Sequence, residues 1–138
     1  MHFQIETTRR VPIYRQLMEQ VREGIARGRL TPGEKLPSVR DLSREVVVNP
    51  NTVARVYNEL EREGVLNTRP GLGVFVAKPS VVLTEEVRTG RLLEGLDRFL
   101  TEAVHLGFSE EEVARLFEQR RTQFQWTVRE KVAPAGGS

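Results

Sequence analysis

The fold of this chain is decided by residues 49–64, which read NPNTVARVYNELEREG. Asn49 can accept a hydrogen bond from the unpaired N–H groups of a first helical turn, and proline suits the next position, where no N–H group is needed. Gly64 can adopt the left-handed conformation that commonly ends a helix. The stretch therefore predicts a bounded helix of about four turns, the third helix of the chain.

The two sides of this predicted helix differ in chemistry. Val53, Val56, Tyr57 and Leu60 recur every three or four positions, so they share one apolar face. The other face carries amides, a hydroxyl group and guanidinium groups, which read base edges and hold phosphates in a DNA groove. An ordinary solvated surface helix would show the same pattern, so its neighbours must decide. The polar face consists of Asn51, Thr52, Arg55, Asn58 and Arg62.

The segments before this helix favour the DNA-binding interpretation. Residues 2–6 alternate like a short strand or arm, and a first helix is predicted over about 12–28. A second helix is predicted over 39–46, with Ser38 as its cap and a carboxylate three residues later. Only two residues separate it from the third helix, so the two must cross sharply, as in a helix-turn-helix.

The segment after the third helix predicts a β-hairpin. Two short β-like runs, 65–68 and 74–77, flank a Pro/Gly-rich loop at 69–73. The complete order predicts a winged helix-turn-helix in which the hairpin is the wing. The predicted fold class is therefore mainly α with a small β-hairpin, followed by a C-terminal two-helix region.

Several spaced motifs resemble one known family. LPSVRDL at 36–42, VNPNTV at 48–53, YNELEREG at 57–64 and GLGVFVA at 71–77 resemble the N-terminal domain of GntR-family bacterial transcriptional regulators. The segment VPIYRQL at 11–17 and the short C-terminal part are similar to the YtrA subfamily. The resemblance implies repression, or less often activation, by a dimer on an inverted-repeat operator, and YtrA-like members imply control of transporter operons.

The resemblance also implies which residues contact DNA. It implies an arginine of the second helix against DNA and base and phosphate contacts from the first turn of the third helix. It further implies that the glycine-bearing wing tip approaches the minor groove. Carried over by position, these residues are Arg40, Asn49, Asn51, Thr52, Arg55 and Gly71.

The chemistry of the side chains suggests individual roles. Arg40 and Arg55 can each donate two parallel hydrogen bonds to guanine, and Asn51 can do the same for adenine. Thr52 and the N–H groups at the helix start suit a phosphate. Arg69, in the wing, can lie over a phosphate or in a narrow minor groove.

These roles have simpler alternatives. Arg55 could be a solvated arginine paired with Glu59 on the same helix, and Arg62 and Arg69 could be ordinary surface arginines. Both interpretations remain open at this point. The predicted DNA-binding set is Ser38, Arg40, Asn49, Asn51, Thr52, Arg55, Arg69 and Gly71.

Three positions depart from the family pattern. Many relatives have glycine where this chain has Val47, and a β-branched residue resists the positive φ that glycine provides. Either the turn is built differently, or Val47 is mildly strained. Val74 stands where relatives often have threonine. Pro50 stands where other branches of the family have arginine at the start of the third helix. Operator sequences known from those branches should therefore not be assigned to this protein.

Residues from about 84 onward predict two further helices, separated by Gly107. Ser109 caps the second of them, whose apolar residues continue through Phe124 to Val128. Two helices cannot bury both stripes, so a two-fold dimer with another copy is expected; alternatively, they pack back on the first domain. The predicted dimerisation residues are Leu92, Leu93, Leu96, Phe99, Leu100, Val113, Leu116 and Phe117.

Composition limits the classes of function. Residues 1–80 carry 13 Lys/Arg and 9 Asp/Glu, or +4, and residues 81–138 carry 8 and 10, or −2, so the predicted DNA-binding half is the basic one. The absence of cysteine excludes disulfides and a thiolate nucleophile. Because neither an apolar span of about eighteen residues nor a signal peptide is recognisable, we expect a soluble cytoplasmic protein without a membrane partner.

Nothing in the chain indicates an enzyme, a metal site or a cofactor. His2 and His105 are far apart in sequence, and Gly71-Leu72-Gly73 lacks the third glycine and following helix of a dinucleotide loop. The acidic run 110–112 is better explained as favourable charge at a helix start. A small-molecule effector is left open.

The sequence thus predicts a dimeric, sequence-specific repressor of transcription. We expect a winged helix-turn-helix domain at 1–78, a helical dimerisation region at 79–132 and a disordered tail at 133–138. The alternative is a protein-interaction module that has the winged fold but does not bind DNA.

Overall fold

Residues 2–78 and 83–126, which the computed structural model describes, form five helices and one two-stranded sheet. Their order is the predicted one, so the fold class, mainly helical with a small antiparallel hairpin, is confirmed. The helices are α1 (Ile13–Ala26), α2 (Val39–Val46), α3 (Pro50–Arg62), α4 (Glu85–His105) and α5 (Glu110–Arg121), and the strands are β1 (Leu66–Arg69) and β2 (Gly73–Val76).

Helix α3 begins and ends where its capping residues predict. The Oδ1 atom of Asn49 accepts a hydrogen bond from the N–H group of Asn51 at 2.8 Å, and Gly64 has a φ of +80°. All four apolar residues of the inner face are buried in one cluster with residues of α1, α2 and the hairpin. The polar face of α3 consequently points away from the core.

Helix α2 and the turn after it set the direction in which α3 continues. The Oγ atom of Ser38 accepts a hydrogen bond from the N–H group of Asp41 at 3.0 Å, and α2 has the predicted bounds. Val47 has φ 54° and ψ 54°, the left-handed conformation that glycine adopts with less strain. The turn therefore keeps the left-handed geometry and holds a strained valine in it.

The wing is a three-segment arrangement rather than an isolated hairpin. Strands β1 and β2 are antiparallel, with Arg69 opposite Gly73, and each is shifted by one residue from the predicted run. On the other edge of β2, the N–H group of Leu36 donates a hydrogen bond to the oxygen of Val74 at 2.8 Å. This pairing ties the segment before α2 to the wing.

The N-terminal residues form an arm on α1, the second of the two predicted alternatives, and not a strand. Phe3 is buried in the core cluster. The buried side chain of Gln16 accepts a hydrogen bond from the N–H group of Glu6 at 3.0 Å and donates one to the oxygen of Glu6 at 2.9 Å. A buried amide satisfied in this way fixes the arm against α1.

Helices α4 and α5 carry most of their large apolar residues on the surface of the chain. Thr84 caps α4, and Ser109 with Glu112 forms the reciprocal capping box of α5. Leu92 is 75% exposed, and Leu96 is 45% exposed. We call the exposed set the apolar stripe: Leu92, Leu93, Leu96, Phe99, Leu100, Leu116 and Phe117. Val113 is half-buried.

The last helix is shorter than predicted. Helix α5 ends at Arg121, so the expectation that Phe124 continues its stripe is wrong. The N–H group of Gln125 instead donates a hydrogen bond to the oxygen of Ala26 at 2.7 Å, because the chain returns to the end of α1. For this segment the alternative of packing back on the first domain holds. Val128, which was predicted in the same helix, and the predicted tail at 133–138 lie outside the described residues.

Replacing Val47 by glycine is expected to raise the free energy of unfolding by about 1 kcal/mol, because glycine relieves the left-handed strain. The side chain of Val47 is 88% exposed, so its loss costs little packing. Urea titration followed by circular dichroism measures the change. The control Arg44→Gly, inside α2, should instead lower the free energy of unfolding by about 1 kcal/mol. Destabilisation by Val47→Gly would contradict the strain.

Candidate nucleic-acid interface

The outer face of α3 is open to solvent along its length. Asn51, Arg55 and Asn58 are exposed, and Thr52 is half-buried. These side chains offer amide, hydroxyl and guanidinium groups on the same side of a rigid helix. A helix of this kind has the width to enter the major groove of B-form DNA, where such groups distinguish the base pairs.

Arg55 is held in position by an aromatic ring from another helix. Its guanidinium carbon lies 4.5 Å from the centroid of the Tyr14 ring, at the start of α1. The alternative partner, Glu59, instead forms a salt bridge with Arg62 at 3.2 Å. Stacking on a ring restricts the arginine side chain while its N–H donors stay available around the edge of the planar group.

The backbone at the start of α3 is less available to a phosphate than the sequence suggests. The N–H group of Asn51 donates to the side chain of Asn49, and the N–H group of Thr52 donates to the oxygen of Asn49 at 2.9 Å. These amides are satisfied within the chain. A phosphate at this helix end would therefore be bound by side chains, with the helix dipole adding to the attraction.

Residues before α2 and on its first turn lie beside α3. Ser38 and Arg40 are exposed, and the Ser38 hydroxyl caps its own helix. The hydroxyl group of Tyr57, on α3, donates a hydrogen bond to the oxygen of Pro37 at 2.7 Å. Burial, and secondarily the carboxylate of Glu45, raise the pKa of Tyr57, so the phenol stays protonated and remains a donor.

The wing carries a second stacked arginine. The guanidinium carbon of Arg69 lies 4.7 Å from the centroid of the Phe75 ring, and Gly71 at the tip is exposed with a φ of +76°. The hydroxyl group of Thr68 donates a hydrogen bond to the carboxylate of Glu61 at 2.8 Å, which connects the wing to α3. The wing tip is thus held at a defined place relative to the exposed face of α3.

The predicted contact arginines have no acidic partners in the described part of the chain. Within residues 2–78 and 83–126, no carboxylate forms a salt bridge with Arg40, Arg55 or Arg69, whereas the charge of Arg62 is compensated by Glu59. Uncompensated guanidinium groups give a surface positive potential that attracts phosphates. Among the predicted set, these three arginines are therefore the best placed to bind an anionic polymer.

The described part of the chain was compared with two other kinds of site, a metal site and a membrane-spanning helix. No three side chains from His, Asp and Glu are grouped there as metal ligands. None of the helices described is both long and apolar enough to cross a lipid bilayer.

Comparisons with known proteins identify the family. Residues 13–76 match the model of the bacterial regulatory proteins, gntR family. The HTH-type transcriptional repressor YtrA of Bacillus subtilis (strain 168) is 36% identical over 104 residues, which are 75% of this chain and 80% of that protein. The chain belongs to the GntR family. Within that family it is YtrA-like, as its motifs predict.

Solved structures extend the likeness beyond the winged domain. The crystal structure of a transcriptional antiterminator from Listeria monocytogenes EGD-e has a TM-score of 0.76 at 32% identity, covering 94% of this chain and 98% of that chain. The AraR DNA-binding domain in complex with operator ORX1 has a TM-score of 0.51 at 26% identity, covering 56% of this chain and 99% of that chain. This GntR-family chain is therefore a transcriptional regulator with a DNA-binding winged-helix fold, and not an enzyme.

The structure of this GntR-family protein adds two aromatic residues to the candidate site that the sequence did not indicate. The rings of Tyr14, on α1, and Phe75, on β2, each support an exposed arginine. The wing pair is a diagonal one, because Arg69 lies opposite Gly73 and Phe75 follows two residues later on the same face of the hairpin. The α1–α3 pair is not visible in the sequence, because it depends on how two helices cross.

Arg55→Ala is expected to reduce discrimination between the preferred duplex and single-base-pair variants of it by about 1 to 3 kcal/mol, the value of one bidentate guanine contact. Fluorescence anisotropy with a panel of labelled duplexes measures it. Arg62→Ala removes a charge that Glu59 already compensates, so it should leave discrimination unchanged. If Arg55→Ala kept the full base preference, its reading role would be excluded.

Proposed function

We propose that this protein is a dimeric transcriptional repressor that binds an inverted-repeat operator through α3 and the wing. The observation that carries the proposal is the exposed polar face of α3, flanked by arginines that lack acidic partners in the described chain. The proposed DNA contacts are the eight predicted residues: Ser38, Arg40, Asn49, Asn51, Thr52, Arg55, Arg69 and Gly71.

The apolar stripe supports the proposal of a dimer. The seven side chains of the apolar stripe are large and exposed, which is unusual for a surface that stays in water. Helices with such faces bury them most simply against an identical pair, and two-fold symmetry then makes the contact self-complementary. We propose the region 79–132 as the dimerisation region and 1–78 as the DNA-binding domain. A two-fold dimer would present two α3 helices to successive major grooves.

Repression is proposed from the named relative and from the family resemblance. The B. subtilis YtrA protein is a transcriptional repressor, and the AraR domain binds an operator. A transporter operon is the target class that the YtrA-like resemblance suggests, and the place of action would be the bacterial cytoplasm. A small-molecule inducer bound between the dimer helices would be compatible with this scheme but is not required by it.

Binding to operator DNA is expected to weaken steeply with salt, because each neutralised phosphate releases condensed counterions. With about two phosphate contacts per protomer, or about four per dimer, affinity should fall roughly a hundredfold between about 50 and 200 mM salt. Duplexes selected from fragments of the source genome provide the probe, and anisotropy the affinity. A purified protein that bound no duplex at low ionic strength would instead support the protein-interaction alternative.

Leu96→Glu is expected to abolish the dimer, because it places a charge in the middle of the proposed apolar interface. Light scattering after gel filtration measures the molar mass, and operator affinity should fall in parallel. The control Thr101→Glu adds the same charge on the opposite side of α4, where Thr101 donates only to the backbone of Asp97. A dimer that survived Leu96→Glu would exclude this interface.

A further inference from the structure

The C-terminal helices are joined to the winged domain by the chain itself and also by a set of contacts at the end of α1. We call it the Arg27 junction: Ala26, Arg27 and Gly28 against Gln123–Gln125. The N–H group of Gln125 donates to the oxygen of Ala26 at 2.7 Å, and the Arg27 Nη1 atom donates to the Oε1 atom of Gln123 at 2.9 Å. The junction thus combines a backbone and a side-chain hydrogen bond between segments far apart in sequence.

Arg27 is the centre of this junction. Its guanidinium carbon lies 4.7 Å from the centroid of the half-buried Phe124 ring, and its Nε atom lies 2.8 Å from the carboxylate of Glu23. Only 14% of the Arg27 side chain is exposed. A ring, an amide and a carboxylate together restrict the conformation of the Arg27 side chain. A solvated surface arginine is not restricted in this way.

The backbone at Gly28 is fitted to the same contact. Gly28 has a φ of +77°, and a Cβ atom there would lie 2.5 Å from the Cγ atom of Gln125. A side chain at this position would therefore displace the side chain of Gln125.

The position of the junction allows it to affect the orientation of α3. Helix α5 ends two residues before Gln123, so the junction fixes the end of α5 against α1. Helix α1 in turn shares the buried core with α3. Two units joined only by one chain connection keep rotational freedom, and a second point of attachment removes it. The Arg27 junction therefore orients the recognition face of α3 relative to the apolar stripe.

We infer that the Arg27 junction determines the half-site spacing of the operator that this protein accepts. The inference rests on the proposed dimer and inverted repeat. In a two-fold dimer the orientation of each winged domain relative to the interface sets the separation of the two α3 helices. Arg27 and Phe124 are thus positioning residues that select spacing, while the base contacts select sequence.

The first test measures the separation of the winged domains without DNA. Because the chain has no cysteine, Asn67→Cys on the exposed side of β1 accepts a single spin label per protomer. Double electron–electron resonance should show one narrow distance distribution in the labelled dimer. Arg27→Gln and, separately, Phe124→Leu should broaden it about twofold or more, because domain freedom returns. Arg29→Gln, an exposed arginine two positions along, is the charge-matched control and should leave the distribution narrow.

The second test uses duplexes that share both half-sites and differ in the spacer between them. A spacer changed by about half a helical turn, roughly 5 bp, turns one half-site to the opposite face of the DNA. The protein with the intact junction should lose about tenfold or more in affinity for it, and Arg27→Gln less than about threefold. Affinity for a single half-site should be equal in all proteins. Phe124→Leu keeps the test decisive if Arg27→Gln lowers the melting temperature.

The outcomes test the role of the junction and the proposed function separately. If the wild-type protein is a dimer and both junction variants keep its distance distribution and its spacing preference, the junction has no such role. A wild-type dimer without any spacing preference would overturn the inference as well. A monomeric protein, or one that binds no inverted repeat, would overturn the proposed function and this inference with it.

Discussion

Burial of one face of α3 is the constraint on which the rest of the structure depends. Val53, Val56, Tyr57 and Leu60 lie in the core, and each buried side chain of this size contributes roughly 1.5–3 kcal/mol. Together they allow α3 only one rotational setting about its axis. The same burial that stabilises the domain therefore presents the amides and guanidinium groups to the outside, so stability and recognition share one cause.

The positive charge of the proposed recognition surface depends more on which arginines are paired with carboxylates than on the composition of the chain. The whole chain has a formal net charge of only +2. On the surface formed by α2, α3 and the wing, however, Arg62 is neutralised by Glu59, whereas Arg55 and Arg69 stack on rings that carry no charge. Stacking orients a guanidinium group without cancelling its charge, which preserves its attraction for phosphates and base edges.

Much of the fold could be predicted because its signals are local. Caps at Ser38, Asn49 and Ser109 each lie within a few residues of the amides that they satisfy, and the helix bounds agree with them. The candidate contact residues could be named for the same reason, since their face follows from helical spacing. The end of α5 was predicted too late in the chain because the apolar spacing continues to Phe124. In the structure the Phe124 ring instead packs on Arg27, which is distant in sequence.

The amino-acid sequence by itself determined the order of the elements, the inner and outer faces of α3 and the membership of the GntR family. These depend on spacing and capping along the chain, where interacting groups are close in sequence. Only the tertiary structure decided that Val47 adopts a left-handed conformation, that Tyr14 supports Arg55, and that Phe124 docks on Arg27. Those contacts join residues whose proximity exists only after the helices have packed, and no local pattern encodes the angle at which they cross.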